Sequence, residues 1–236
     1  GPTLPAGVRI AGMVDPALAA AMAETALWAV LSLHRGFFGY QRQQRQSLWR
    51  QLAQRRADEV PVTLLGFGAM GRACAAALQR AGYPVCACTR SQAARSNDVP
   101  HIHGREALRQ RLAETEIVIN LLPLTPDTRC LLDAAFFAAL RPQAALVNLG
   151  RGAHVVDDDL LAALDAGRMR HAVLDVFHTE PLPATHRYWQ HERVTVLPHA
   201  AALTDVRSAA QVAAANVQAL VAGRPLMHLV DRGRGY

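Results

Sequence analysis

Three short segments in the second half of the chain carry side chains suited to catalysis: Asn148-Leu-Gly-Arg-Gly152, Asp175-Val-Phe-His-Thr-Glu-Pro181 and Pro198-His-Ala-Ala201. Each follows an apolar run, so Arg151, Glu180 and His199 fall at or just beyond the ends of successive predicted strands. Imidazole titrates near neutrality and can hand a proton to a developing alkoxide. A glutamate on its other ring nitrogen would stabilise the imidazolium. A guanidinium can grip a carboxylate through its planar fork and polarise an adjacent carbonyl. These are the three tasks in reducing a 2-keto acid, so the set reads as a hydride-transfer site for a carboxylate-bearing substrate. A lone histidine is more often structural, and the other nine histidines keep that reading. Asp175, at a strand end, either positions a nicotinamide or braces a loop.

The hydride source is indicated by Gly66-Phe-Gly-Ala-Met-Gly71, with Val62-Thr-Leu-Leu65 as a strand before it and Met70–Ala81 as a helix after it. Glycines at 66, 68 and 71 allow a tight turn and close backbone approach, and the helix start through Ala69 and Met70 offers N–H groups to a pyrophosphate. A merely structural glycine turn is the alternative. At the end of the next strand, where NAD-preferring enzymes carry an acidic residue, stands Thr89-Arg90-Ser91. A guanidinium with two hydroxyls suits a 2′-phosphate, so NADP(H) is preferred and NAD(H) remains possible. Arg90 as an ordinary surface residue is the competing reading.

These residues need a scaffold, and the pattern supplies one. Asp15-Pro16 opens a helix over 16–34, and a second, highly polar helix is expected over 41–56. From Val62 onward, strands are expected near 62–66, 84–89, 116–121, 144–149, 171–176 and 194–197. Helices intervene over 70–81, closed by Gly82, over 133–140, opened by Asp133, and over 157–166, bounded by Asp157 and Gly167; a last helix covers about 203–222. Apolar runs without strict alternation suit a parallel sheet covered on both faces. The expected fold is a doubly wound α/β Rossmann-type domain over 16–204, with 1–15 and 205–236 as the remnant of a second, substrate domain.

The net charge of +6 and pI near 9.8 raise the question of nucleic acid, but the arginines are scattered and no nucleic-acid-binding signature accompanies them. The chain has no lysine, which excludes Schiff-base and P-loop lysine chemistry. Cys74, Cys86, Cys88 and Cys130 lack a second Cys/His pair at zinc spacing, so no metal site is expected, and reduced thiols fit a cytoplasmic protein. No uninterrupted apolar stretch approaches the ~20 residues of a membrane span.

The motifs together resemble the D-isomer-specific 2-hydroxyacid dehydrogenase family, and to them are added Asn120-Leu-Leu-Pro-Leu-Thr-Pro-Asp-Thr128 and Ala153-His-Val-Val-Asp-Asp-Asp-Leu-Leu-Ala-Ala-Leu164. The likeness covers almost the whole chain. It implies that Arg151 binds substrate, Glu180 tunes the histidine and His199 is the acid/base. It also implies that Leu122, Pro123, Leu149, Gly150 and Asp175 line the cofactor, that Arg90 and Ser91 contact the 2′-phosphate, and that two chains form a homodimer through the 16–34 helix. In this family a substrate domain precedes the cofactor domain, whereas only about 60 residues precede the glycine turn here. Three readings follow: an NADPH-dependent reductase of glyoxylate or hydroxypyruvate, a truncated NADP(H)-binding chain with little or no turnover, and a redox-sensing interaction protein on the same scaffold.

Overall fold

The computed structural model describes Pro5, residues 7–90 and residues 99–230. Two helices open the chain, α1 (Pro16–His34) and α2 (Phe37–Arg45). There follow β1 (Val62–Leu65), α3 (Ala69–Arg80), β2 (Val85–Cys88), β3 (His101–Ile102), α4 (Arg105–Glu114), β4 (Ile117–Asn120) and α5 (Ala134–Ala139). The second half holds β5 (Ala144–Asn148), α6 (Asp157–Asp165), β6 (Met169–Leu174), β7 (Val194–Val196) and α7 (Val206–Val221).

Among the described residues seven strands form one parallel sheet in the order β3-β2-β1-β4-β5-β6-β7. The expected doubly wound sheet is therefore present, with its order reversing between β1 and β4. At such a point the loops beyond the strands diverge and leave a crevice for ligand. Burial explains why the strands read as apolar runs. Leu64, Ile117, Ile119, Ala145, Val147 and Val173 face one core with α1 and α3, while Leu65, Val118, Leu146, Ala172 and Leu174 face the other with α5 and α6. Each fully buried leucine on either face contributes about 1.5–3 kcal/mol.

Three expectations need correction. The polar stretch 41–56 is not one helix: α2 ends at Arg45, Ser47 takes a left-handed φ of 52°, and the remainder runs as a strap. Tertiary partners override helix propensity along that strap. Leu52 donates its N–H to Tyr40 Oη, His34 bonds the Arg55 carbonyl, and Arg55 pairs with buried Glu116 at 2.6 Å. Arg141 and Arg170 join the same carboxylate, fixing strap, sheet and α5–β5 connection beneath the strands. Next, the sheet has seven strands rather than six, because two-residue β3 is too short to leave a period, and the α4 helix after it carries little apolar signal. Finally, α7 starts at Val206 rather than near 203, after Asp205 caps its first turn, whereas α6 begins at Asp157 as expected, with the Asp157 carboxylate accepting from Tyr188 Oη.

α1 positions the site. Asp15 accepts from Ala17 N–H at its start and from Ser208 Oγ of α7. Its alanines, Ala19, Ala23, Ala26 and Ala29, are buried and allow close approach to α3. With 19 residues and a mean hydropathy of 1.5, α1 has the length and apolarity to cross a bilayer, although Glu24, Thr25 and Ser32 interrupt its apolar run. Here that apolar surface serves the core. Segments near both ends also pair, through Gly12 N–H to the His228 carbonyl and Val230 N–H to the Ile10 carbonyl.

Candidate active site

A cavity of about 670 Å³ opens at the carboxyl ends of the strands. Its floor is the β1–α3 turn, where Gly66 adopts φ +97° and bonds the Cys88 carbonyl. A Cβ at Gly71 would lie 2.4 Å from the Gly66 carbonyl oxygen, so the turn closes only with glycine there. Gly68 differs: its φ of −77° is ordinary and nothing lies within 4 Å of where a Cβ would point. That open space lies beside the start of α3, which has no capping side chain. Backbone N–H groups and the helix dipole are thus presented to a vacant volume, as an anionic pyrophosphate requires.

Gly66, Gly68 and Met70 line the cavity, while Ala69 and Gly71 shape the turn without lining it. Thr89 and Arg90 bound the far side at the end of β2; Ser91 lies outside the described residues. Leu122, Pro123, Leu149 and Gly150 form the wall between the β4 and β5 ends. A side cavity of about 280 Å³ continues between Arg90, Leu108, Pro123 and Leu131, apolar enough for a flat ring. The sequence reading missed Leu18 and Met22, which α1 places over the cavity, and Phe67, Cys88, Leu121, Ala202 and Thr204. Contacts from α1 reach α3 and, from Thr25 to Ala201, 176 residues along the sequence, so no local pattern marks them.

At the other end of the cavity, the loop after β7 is held in an unusual shape. His199 sits at φ +54°, a left-handed conformation that costs a non-glycine residue energy unless its surroundings hold it. Asp175 supplies that hold, one carboxylate oxygen accepting from Ala200 N–H at 2.7 Å and Ala201 N–H at 3.0 Å while its carbonyl accepts from His199 N–H. Thr25 Oγ1 of α1 donates to the Ala201 carbonyl at 2.6 Å and fastens the same loop from above. Burial pushes the Asp175 carboxyl above its ordinary range, against the two amides that stabilise its anion. Of the two readings of Asp175, loop bracing is the contact seen, and the residue also lines the cavity.

The loop turns His199 toward Glu180, with Nδ1 and Oε2 2.6 Å apart. The other glutamate oxygen accepts from Phe177 N–H at 2.9 Å, so the carboxylate is fixed at both ends. Burial acts to raise the Glu180 pKa, but the hydrogen bonds from His199 and Phe177 outweigh it and hold the carboxylate below its ordinary value. A charged Glu180 on Nδ1 leaves Nε2 for a substrate oxygen. Arg151 lines the same cavity from the β5 end, its Nη1 donating to the Gly150 carbonyl at 2.6 Å. Glu180 does not line the cavity and reaches it only through His199. The three residues singled out by their strand-end positions are thus brought to one end of one cleft, an imidazole paired with a carboxylate and a guanidinium facing the same space.

Residues 27–201 match the family model for the NAD binding domain of D-isomer specific 2-hydroxyacid dehydrogenases. Glyoxylate/hydroxypyruvate reductase A of Serratia proteamaculans is 43% identical over 234 residues, covering 99% of this chain and 74% of that protein. The enzyme of the same name from Yersinia enterocolitica is 40% identical over the same shares. Among solved structures, a D-isomer specific 2-hydroxyacid dehydrogenase from Xanthobacter autotrophicus Py2 in complex with NADPH and MES superposes with a TM-score of 0.95 at 38% identity, covering 99% of this chain and 96% of that one. An NADPH-dependent glyoxylate/hydroxypyruvate reductase from Sinorhizobium meliloti in complex with NADP and sulfate gives 0.95 at 35% identity, covering 100% and 75%.

Proposed function

This chain belongs to the D-isomer specific 2-hydroxyacid dehydrogenase family, and from that premise we propose that it is an NADPH-dependent reductase of glyoxylate and hydroxypyruvate, giving the D-2-hydroxy acid. The observation that carries this reading is the Glu180–His199 pair at 2.6 Å in the same cleft as Arg151, beside a turn with vacant space over Gly68.

The residues fit NADP(H). The α3 start and the glycine turn would hold the pyrophosphate, the cavity under Leu108 and Pro123 the adenine, and Arg90 beside Thr89 the 2′-phosphate. NADPH bound there would supply the hydride. Arg151 binds the keto-acid carboxylate and polarises the adjacent carbonyl. His199 Nε2 donates a proton to the carbonyl oxygen as that oxygen gains charge, and Glu180 stabilises the ring in its charged form and fixes its orientation. Asp175 keeps the His199 loop in place.

The remaining parts of the reading are proposals of the same kind. Residues 16–204 form the cofactor domain, and 1–15 with 205–236 belong to a second, substrate-binding unit; the pairing of Gly12 with His228 supports joining those two segments. Two copies associate through the 16–34 helix, whose Trp28 is 41% exposed and packs edge-on against Phe38. Unpaired cysteines, Cys74 and Cys86 buried, are in keeping with a reducing cytoplasm.

The test is direct. The chain is mixed with NADPH and glyoxylate or hydroxypyruvate, and the loss of reduced-nicotinamide absorbance is followed against His199→Ala. Turnover that falls by about 100-fold or more in the variant is expected for loss of a general acid. Equal rates in the two proteins would overturn the reading.

A further inference from the structure

Behind the cleft wall lies a buried polar network that the proposed reaction does not use. His154 is fully buried in the turn after Arg151, with Asn120 and Asn148, also fully buried, at the ends of β4 and β5. Asn120 Oδ1 accepts from Leu122 N–H at 3.2 Å, which fixes the amide so that Nδ2 faces the other way. Nδ2 then donates to Asn148 Oδ1 and to His154 Nδ1, both at 2.8 Å. Nδ1 must therefore be bare, and the ring proton sits on Nε2, which donates to the Pro123 carbonyl at 3.3 Å. Asn148 completes the chain: Oδ1 also accepts from Gly150 N–H, and Nδ2 donates to the Arg151 carbonyl, both at 3.2 Å.

Each donor meets an acceptor in only one arrangement of amides and tautomer. The packing is equally restrictive, since a Cβ at Gly150 would lie 2.9 Å from Asn120 Nδ2 and 3.2 Å from His154 Nδ1. Two segments are bound by this one network: the Leu122–Pro123 turn on the cofactor side of the cleft, and the Gly150–Arg151 loop on the substrate side. Resting on the function proposed above, we propose that His154 is a positioning residue, which in its neutral Nε2–H form ties the cofactor-lining Pro123 turn to the loop that presents Arg151. Burial keeps this imidazole below its ordinary value, and the nearby Arg151 and Arg129 act in the same direction, so the neutral form persists.

Two substitutions separate positioning from bulk packing. His154→Leu fills the space and removes both hydrogen bonds, whereas His154→Asn removes the Pro123 bond but offers Oδ1 to Asn120 in place of Nδ1. Tm, NADPH affinity by fluorescence titration, oxalate affinity of the NADP complex, and kcat and KM for glyoxylate are measured for each. His154→Leu is expected to weaken NADPH and oxalate binding by tenfold or more each and to lower kcat/KM by 100-fold or more. His154→Asn is expected to recover no more than about tenfold of the kcat/KM loss. Binding constants within twofold of wild type in a folded His154→Leu protein, or in a His154→Asn protein that lacks the Pro123 bond, would overturn the proposal. If His154→Leu does not fold, the comparison passes to His154→Gln against His154→Asn, where Gln keeps the Pro123 bond and loses the Asn120 bond; unchanged constants in both overturn it. Should the wild-type chain bind NADPH and oxalate yet fail to reduce glyoxylate, the reductase reading falls while the two affinities still decide the role of His154.

Discussion

At the scale of single residues, the site combines a few groups whose geometry leaves each one role. Arg151 provides a planar fork, which a lysine ammonium does not reproduce even at equal charge. Arg151→Lys is expected to lower kcat/KM for the keto acid by about 100-fold, a loss near 2.7 kcal/mol, while the NADPH affinity changes by less than twofold. Steady-state kinetics with a parallel fluorescence titration checks both halves. Arg151, Glu180 and His199 were legible because each lies just beyond an apolar run, where parallel sheets gather function. His154, Asn120 and Asn148 were not, because a buried histidine within an apolar pattern carries no outward sign of its partners. Leu18 and Met22 were missed because only the packing of α1 against α3 brings them over the cleft.

At the scale of elements, the β1–α3 turn separates the needs of folding from those of binding. Gly71 is required by the Gly66 carbonyl 2.4 Å from its virtual Cβ, while Gly68 faces open space at an ordinary φ. Gly68→Ala is therefore expected to keep its Tm within about 2 °C and to weaken NADPH, and Gly71→Ala to lose several degrees. Differential scanning calorimetry and an NADPH titration distinguish the two; a Gly68→Ala protein that binds NADPH like wild type would show that the pyrophosphate does not lie there. Helix α3 and strand β1 were readable from their glycines and apolar run. The 46–56 strap was misread as helix because glutamine and arginine favour helices locally, and the partners that extend it, Tyr40, His34 and Glu116, lie elsewhere. Strand β3 was missed because two residues have no period to detect.

At the scale of the whole molecule, the fold confines ionisable groups to places where their charge states matter for stability. His171 of β6 is stacked on Phe38 with ring centroids 4.4 Å apart and bonded to Thr195 Oγ1. Burial, aided by Arg42, Arg170 and His191, lowers its pKa to about 3. The unfolded chain therefore binds a proton that the folded chain refuses, so this residue lowers stability as pH falls from 6.5 toward 3. Between pH 7 and pH 5 the loss amounts to about 2 kcal/mol. Urea midpoints of wild type and His171→Gln at the two pH values measure it. The variant is expected to be less stable at pH 7 but to lose about 2 kcal/mol less on acidification; an identical pH dependence would contradict the burial argument.

The central claim is that His199, oriented by Glu180, delivers the proton to a keto acid held by Arg151. It is tested most directly by kcat/KM for glyoxylate as a function of pH in the wild type and in Glu180→Gln, with NADPH saturating. The variant is expected to show kcat/KM reduced about 10- to 100-fold, because a neutral amide on Nδ1 neither orients the ring nor offsets the positive charge that proton donation involves. Superimposable profiles of equal height would contradict the account.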